Sequence, residues 1–343
     1  MTSRKDILIA ILIMLGIIDA GLYAIGPFLQ SNEDIHISHT RETAITPYAS
    51  EPLQPIPQVV ASNSRLAELG RKLFHDTRLS RNNRLACSSC HDLAMAGTDG
   101  QRVSTGISGQ SGALNAPSVF NSSLNTRLFW DGRASTLEDL VGSPINHPKE
   151  MGTEWPAVIA ELKTDQDYRQ SFDTLFADGI TAGNITLAIA EFERTLLTPN
   201  ARFDRFLMGE TTALSNREKQ GYTLFKIYGC ATCHQGAAVG GNMFERLGSV
   251  RDYFADHPGS GPQDLGLYNV THDEAHRHYF KVPSLRNVAR TAPYFHNGSA
   301  ASLEDAVRIM GYYNLGVQMP EYDIDMIVEF LNTLSGEYAG HPL

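Results

Sequence analysis

Cysteine is scarce in this chain, since only four cysteines occur among 343 residues, and tryptophan occurs only twice. All four cysteines fall in two C-x-x-C-H motifs, so none is left for a disulfide, a zinc site or a catalytic nucleophile. The apolar–polar alternation typical of strands is also scarce, whereas helical periodicity is common. Basic residues are outnumbered by acidic ones, 28 to 38, which excludes nucleic acid as the expected partner.

The two C-x-x-C-H motifs are the signature of covalent c-type haem attachment. Both thiols of a motif bond one haem, and the following histidine becomes an axial ligand of its iron. Structural zinc sites place a second cysteine pair about 15–20 residues after the first, whereas these two pairs lie far apart in the sequence. We therefore expect two covalently bound haem c groups and a redox function. The residues concerned are Cys87, Cys90, His91, Cys230, Cys233 and His234.

The N-terminus combines a basic pair, Arg4 and Lys5, with apolar runs over residues 7–18 and 20–29. The first run alone has the length of a signal peptide, and both together reach the ~20 residues that span a bilayer. Residues 1–29 are therefore expected to be either a signal peptide or a membrane anchor. Either way the body of the chain is exported, because the positive end stays inside. We expect a periplasmic protein, soluble after cleavage or anchored to the inner membrane.

Residues 30–62 are polar and rich in proline, and they show no apolar period, so this segment is expected to be a linker. Helical periodicity begins near Ser64 and recurs over residues 182–195. Ser215, with Glu218 three residues later, predicts a capping box at the start of another helix.

A weak internal repeat links the two haem motifs. Residues 70–74 (GRKLF) precede the first motif, and residues 221–225 (GYTLF) precede the second. Each segment places a leucine–phenylalanine pair on a helix shortly before the cysteines. The repeat predicts two similar haem domains, residues 63–210 and residues 211–343.

Beyond the haem motifs, an ordered set of short stretches resembles the bacterial di-haem cytochrome c peroxidase family over about residues 64–336. The matching stretches are 69–74 (LGRKLF), 115–118 (NAPS), 129–134 (FWDGRA), 150–151 (EM), 285–288 (LRNV), 291–296 (TAPYFH) and 309–311 (IMG). The resemblance implies a mainly α fold in which two cytochrome c-like haem domains pack against each other. It also implies reduction of hydrogen peroxide to water with electrons from an external one-electron donor.

The resemblance also implies roles for individual residues. His91 would be the proximal ligand of the peroxidatic haem, and His234 with Met310 would ligate the electron-transferring haem. Trp130 would lie in the electron path between the haems, and Glu150 would stand over the distal face of the first haem. Three further residues match positions whose oxygen atoms hold a calcium ion between the domains: Asn115, Thr291 and Pro293.

Two residues depart from the family pattern. Members that need reductive activation carry a displaceable histidine in the loop that corresponds to residues 104–109, where this chain has Ile107. Isoleucine cannot ligate iron, so we expect an open peroxidatic iron in the oxidised protein; His147 is the only nearby substitute in sequence. Leu140 replaces a glutamine that is common near the distal pocket, so the acid–base role falls more heavily on Glu150.

Two alternative functions stay open at this point. A MauG-type di-haem oxidase, which modifies a partner protein, fits Ile107 but has a tyrosine where Met310 stands; Tyr312 and Tyr313 lie close by. A plain di-haem electron carrier would have two six-coordinate haems. The expected partners are hydrogen peroxide and a small c-type cytochrome or cupredoxin, with quinol and a homodimer left open.

Overall fold

Short helices dominate the structure, a computed structural model that describes residue 48 and residues 50–58, 62–258 and 261–343. The α-helices of this part are α1 (Ser64–Phe74), α2 (Leu137–Asn146), α3 (Trp155–Leu162), α4 (Gln166–Leu175), α5 (Ala182–Arg194), α6 (Arg202–Leu207), α7 (Asn216–Ile227), α8 (Cys230–Cys233), α9 (Tyr253–Asp256), α10 (Tyr268–Thr271), α11 (Leu303–Ile309) and α12 (Glu321–Asn332). The strands are β1 (Phe244–Arg246), β2 (Tyr279–Lys281), β3 (Glu337–Tyr338) and β4 (His341–Pro342), paired antiparallel as β1–β2 and β3–β4. The mainly α class expected from the sequence is confirmed.

Local sequence signals set several helix ends. Helix α5 begins after Thr181, whose side chain accepts a hydrogen bond from the N–H of Asn184 at 3.2 Å. Helix α7 begins at the predicted capping box: the N–H of Glu218 donates to Ser215 Oγ at 3.2 Å, and the N–H of Ser215 donates to Glu218 Oε2 at 2.8 Å. These bonds satisfy N–H groups that have no partner within the helix.

The two larger hydrophobic cores lie in the described part of the chain. The first core contains buried residues between Leu66 and Leu196. The second contains Leu53 and buried residues between Phe203 and Leu334. The division at residues 210 and 211 stays a prediction.

The helix before the first haem motif, α1, crosses α5 at a glycine. A Cβ atom on Gly70 would lie only 1.8 Å from the carbonyl oxygen of Ala188. One turn later, Phe74 packs edge-on against Phe192 with ring centroids 5.3 Å apart. Glycine is therefore required for this close approach of the two backbones.

The helix before the second motif, α7, crosses α12 in the same way. A Cβ atom on Gly221 would lie 1.9 Å from the carbonyl oxygen of Met326. Phe225 contacts Phe330 with ring centroids 5.3 Å apart. The weak sequence repeat thus corresponds to a repeated helix crossing, each time on a helix that precedes a haem motif.

Residues 50–58, which fall within the expected linker 30–62, are held against the second core. Leu53 is fully buried there, and the N–H of Gly236 donates to the carbonyl oxygen of Pro52 at 2.9 Å. Among the helices that the structure describes, none is long and apolar enough to cross a bilayer. The signal peptide or anchor expected at residues 1–29 lies outside the described residues.

Candidate functional site

The first C-x-x-C-H motif forms a tight turn beside the first core. Cys87–Ser89 form a 3₁₀ turn, and the N–H of His91 donates to the carbonyl oxygen of Cys87 at 3.0 Å. Burial raises the pKa of the Cys87 thiol to about 12, so its sulfur is uncharged at neutral pH. An uncharged sulfur in this place suits the neutral thioether that haem attachment creates.

The second motif forms a short helical turn. Cys230–Cys233 make up α8, and the N–H of His234 donates to the carbonyl oxygen of Cys230 at 2.9 Å. Burial raises the pKa of the Cys230 thiol to about 12. Both motifs therefore bring two sulfur atoms and one imidazole together on a single turn.

The two motif histidines are oriented alike. Nδ1 lies 3.3 Å from a backbone carbonyl oxygen in each, that of Gly97 for His91 and that of Val239 for His234. Burial lowers the pKa of both imidazoles, that of His234 to about 4. We assign the neutral tautomer in which Nδ1–H donates to the carbonyl, because it leaves the Nε2 lone pair free for iron.

A cavity of about 270 Å³ adjoins the second motif. It brings together Cys230, Cys233, His234 and Met310, and apolar side chains such as Phe225 and Leu331 form much of its wall. Two sulfurs, an imidazole with a free Nε2 and a thioether in one largely apolar cavity fit a covalently bound haem with His and Met ligands.

Residues 211–343 contain four methionines that could ligate the second iron, Met243, Met310, Met319 and Met326. Only Met310 and Met319 line the cavity, and Met326 is fully buried away from it. Met310 lies where α11 gives way to a π-helical turn, Met310–Asn314, and such turns are frequent at functional sites. Tyr313 instead donates a hydrogen bond to Asp256 Oδ2 at 3.0 Å.

Trp130 lines the same cavity from the first half of the chain. Its indole Nε1–H donates to the carbonyl oxygen of Asn115 at 3.0 Å, and its own carbonyl oxygen accepts the N–H of Lys281 at 2.9 Å. The ring also lies edge-on to His296, with centroids 6.4 Å apart. The tryptophan is therefore held from both halves of the chain.

All three residues expected to bind calcium line this cavity too: Asn115, Thr291 and Pro293. The N–H of Asn115 donates to the carbonyl oxygen of His296 at 2.8 Å, and its side-chain Nδ2 donates to that of Gln101 at 2.9 Å. Among the described residues there is no cluster of three or more His, Cys, Asp or Glu side chains that could hold a metal ion. Calcium binding by these three residues stays a prediction.

Glu150 lies near the first motif rather than on the cavity. Its carboxylate is 3.3 Å from His147 Nδ1, and its side chain is 42% exposed. Burial is the main cause of the raised pKa of the Cys90 thiol, and the charge of Glu150 contributes to it. The sequence spacing of His147 and Glu150 allowed this contact but did not require it.

The loop of Ile107 packs tightly beneath Glu150. The N–H of Ile107 donates to the carbonyl oxygen of Glu150 at 2.8 Å, and the Ile107 side chain is 1% exposed. A Cβ atom on Gly106 would lie 1.8 Å from the carbonyl oxygen of Lys149. Leu140, the other departure, is half-buried and packs against the first core.

Sequence reasoning included His296 in the matching stretch 291–296 but missed its buried partner, and it missed Lys281 beside the cavity. His296 forms a hydrogen bond with Asp264, and both side chains are almost fully buried. Burial lowers the pKa of His296 although Asp264 opposes that shift. Lys281 lines the cavity and is 7% exposed. Its position between Phe280 and Val282 in an apolar stretch was the only signal in the sequence.

Comparisons with known proteins agree with this geometry. A family model described as di-haem cytochrome c peroxidase matches residues 64–212. The cytochrome c peroxidase of Escherichia coli strain K12 is 45% identical over 294 residues, which cover 85% of this chain and 63% of that protein. This chain thus spans less than two thirds of that relative. The cytochrome c551 peroxidase of Nitrosomonas europaea is 44% identical over 290 residues, 84% of this chain and 85% of that protein.

A solved structure described as a MauG-like protein associated with microbial copper homeostasis matches with a TM-score of 0.73. It is 30% identical, and the match covers 83% of this chain and 93% of that chain. The two haem motifs, the cavity beside the second motif and the relatives that match most of the chain lead to one conclusion. The chain belongs to the di-haem cytochrome c peroxidase family.

Proposed function

We propose that this chain reduces hydrogen peroxide to water with electrons from an external one-electron donor. The observation that carries the proposal is the cavity in which His234, Met310 and Trp130 meet. An imidazole and a thioether on one iron raise its potential, as electron transfer requires. The relatives that are 44–45% identical are named as peroxidases.

Two haem c groups would be held by different ligand sets. Cys87, Cys90 and His91 would hold the peroxidatic haem. Cys230, Cys233, His234 and Met310 would hold the electron-transferring haem. When bound, the haems supply the redox centres at which peroxide is reduced and electrons are received.

Glu150 would move the proton within bound peroxide. Its carboxylate would accept a proton from one peroxide oxygen and return it to the other, so that the O–O bond breaks and one water leaves. The remaining oxygen would leave as the second water after taking up two electrons from the donor and two protons. His147, 3.3 Å from the carboxylate, would orient it. Positioned acid–base groups of this kind contribute about 10²–10⁴-fold to rate.

The peroxidatic site would be open at rest. Ile107 occupies the position of the displaceable histidine, and its side chain is buried against Gly152. The loop thus offers no iron ligand at this position. The oxidised protein should show a high-spin ferric signal before any reduction, and a purely low-spin spectrum would contradict the open site.

Trp130 would carry electrons between the two haems. Its place on the cavity wall and its two hydrogen bonds to opposite halves of the chain support this role. Asn115, Thr291 and Pro293 would hold calcium through oxygen atoms beside it. Calcium there would tie residues of the two halves together.

The proposed organisation is that of two cytochrome c-like haem domains, residues 63–210 and 211–343, packed against each other. The periplasm is the proposed location, because haem c is attached outside the cytoplasm. A small c-type cytochrome or cupredoxin is the proposed donor, with quinol as an alternative for an anchored protein. A homodimer is a further proposal.

A MauG-type oxidase is the second candidate, because Ile107 stands in place of the displaceable histidine and a MauG-like structure matches the fold. Met310 weighs against it: Met310 lines the cavity, whereas Tyr313 is bound to Asp256. A near-infrared absorption band from a shared high-valent state would favour this candidate.

The deciding experiment is a peroxide assay with a reduced small cytochrome as donor. The holoprotein should oxidise two donor molecules for each peroxide consumed. A protein that carries both haems yet consumes no peroxide would instead be a plain electron carrier.

A further inference from the structure

Lys281 is a buried cation in the wall of the cavity. It is the last residue of β2 and is 7% exposed, between Phe280 at 6% and Val282 at 5%. It lines the cavity together with His234 and Met310. Its backbone N–H donates to the carbonyl oxygen of Trp130 at 2.9 Å.

The ammonium group of Lys281 has no carboxylate partner among the described residues. The two arginines that line the same cavity are both paired: Arg286 with Asp204 at 2.7 Å, and Arg246 with Asp252 at 3.2 Å. Burial alone lowers the pKa of Lys281, to about 8, with no contribution from a neighbouring acid. The group is therefore mostly charged at neutral pH.

An unpaired ammonium in an apolar cavity is costly, because it loses hydration without gaining a counter-charge. A haem brings such counter-charges with it, since its two propionate groups are its anionic substituents. The residues that would attach and ligate a haem line the same cavity as Lys281. A carboxylate on the occupant of this cavity would supply the missing partner.

We propose that Nζ of Lys281 binds a propionate carboxylate of the electron-transferring haem and raises the potential of that haem. The inference rests on the proposed function, since it requires a haem in this cavity. Lys281 is then a positioning residue, which also holds Trp130 through its backbone. Removing its charge leaves a buried propionate uncompensated, and that negative charge favours the ferric state.

The test compares three variants of the full-length holoprotein with the wild type. Lys281→Met removes the charge at similar volume, and Lys281→Arg retains it. Lys226→Met is the matched control, because Lys226 lies on the surface of the same half, 37% exposed and paired with Glu51. Spectroelectrochemical titration gives the potential of each haem, and resonance Raman spectra report hydrogen bonding to the propionates.

Lys281→Met should shift the reduction equilibrium of the His/Met haem about tenfold towards the ferric form, a fall of ~59 mV for a one-electron couple. Its propionate bending mode should shift as well. In Lys281→Met, the potential of the other haem should stay close to its wild-type value. In Lys281→Arg and Lys226→Met, both haem potentials and the propionate mode should stay close to those of the wild type. Loss of this haem from Lys281→Met alone, with retention in Lys281→Arg, would also support a charge requirement.

An unchanged potential and propionate mode in Lys281→Met would overturn the proposal. So would loss of the haem from both Lys281 variants, since the side chain would then act through packing. A wild type that lacks a His/Met haem or does not reduce peroxide would overturn the proposed function instead. The two failures are therefore distinguishable.

Discussion

Two carboxyl groups near the first haem motif, those of Glu150 and Glu193, differ in their exposure to solvent and therefore in their acid–base behaviour. Glu150 is 42% exposed and lies beside His147. Glu193, on α5, is 3% exposed, and its Oε2 has no hydrogen-bond partner in the part of the chain that the structure describes. Burial raises the pKa of Glu193 to about 8. Glu150 can therefore exchange protons with a small substrate, whereas Glu193 stays mostly protonated at neutral pH in the folded protein.

Glu150→Gln should lower peroxide turnover by about 10²–10⁴-fold, because the amide cannot accept and return the proton. Both haems should remain bound, since Glu150 attaches neither. Steady-state assays and haem quantification test this prediction. The control is Glu154→Gln, a change at an exposed residue shortly after Glu150 in the sequence, which should leave turnover unchanged. Equal losses of turnover in both variants would contradict the role assigned to Glu150.

Glu193→Gln should make stability less dependent on pH. The folded-state pKa of Glu193 is raised from 4.5 to about 8, so its stabilising contribution is complete below 4.5 and is lost as pH rises through 8. As pH rises from 4.5 to 8, the wild type should therefore lose this stabilisation while the variant does not, so the free energy of unfolding of the variant should rise relative to that of the wild type. Denaturant titrations near pH 4.5 and near pH 8 measure the difference. The exposed Glu161→Gln should track the wild type, and a Glu193→Gln curve parallel to the wild type would refute the prediction.

At the scale of elements, two helix crossings support the two haem motifs. Helices α1 and α7 each end shortly before a motif and approach a later helix at Gly70 and Gly221. The position of each motif therefore depends on a backbone contact that admits no side chain. The sequence showed the repeated glycine and phenylalanine but not the helices they would meet.

Gly221→Ala should destabilise the protein by about 1–3 kcal/mol, because the new Cβ would overlap the carbonyl oxygen of Met326 and force α7 away from α12. Gly142→Ala is the matched control, since that glycine lies within α2 and a Cβ there would have no atom of the described residues within 4 Å. The control should gain about 0.5–1 kcal/mol from helix propensity. Denaturation midpoints test both, and a neutral Gly221→Ala would disprove the tight crossing.

At the scale of the whole molecule, a buried polar cluster joins segments from distant parts of the chain. Thr198 Oγ1 accepts hydrogen bonds from Asn121 Nδ2 at 2.8 Å and from Asn287 Nδ2 at 3.0 Å. All three residues are fully buried. Asn287 Oδ1 also accepts the N–H of Gly336 at 3.1 Å. Hydrogen bonds that are shielded from water thus link the two halves of the chain.

Thr198→Val should lower the free energy of unfolding by ~2 kcal/mol or more, because the isosteric change leaves two buried amide donors without their acceptor. Thr174→Val provides the control, since Thr174 is exposed on α4. Equilibrium unfolding followed by haem absorbance and by tryptophan fluorescence tests the pair. Equal stabilities for the two variants would show that the cluster contributes little.

The sequence by itself determined the features that depend on residues close along the chain. These include both C-x-x-C-H turns, the helix that follows Ser215, the mainly α class and the repeated segments 70–74 and 221–225. Only the tertiary structure placed Met310 and Trp130 on one cavity and His147 beside Glu150. It also buried Lys281 with no carboxylate partner among the described residues. Hydrogen bonds within a turn follow from local sequence, whereas burial and the pairing of charges follow from packing between segments far apart in the chain.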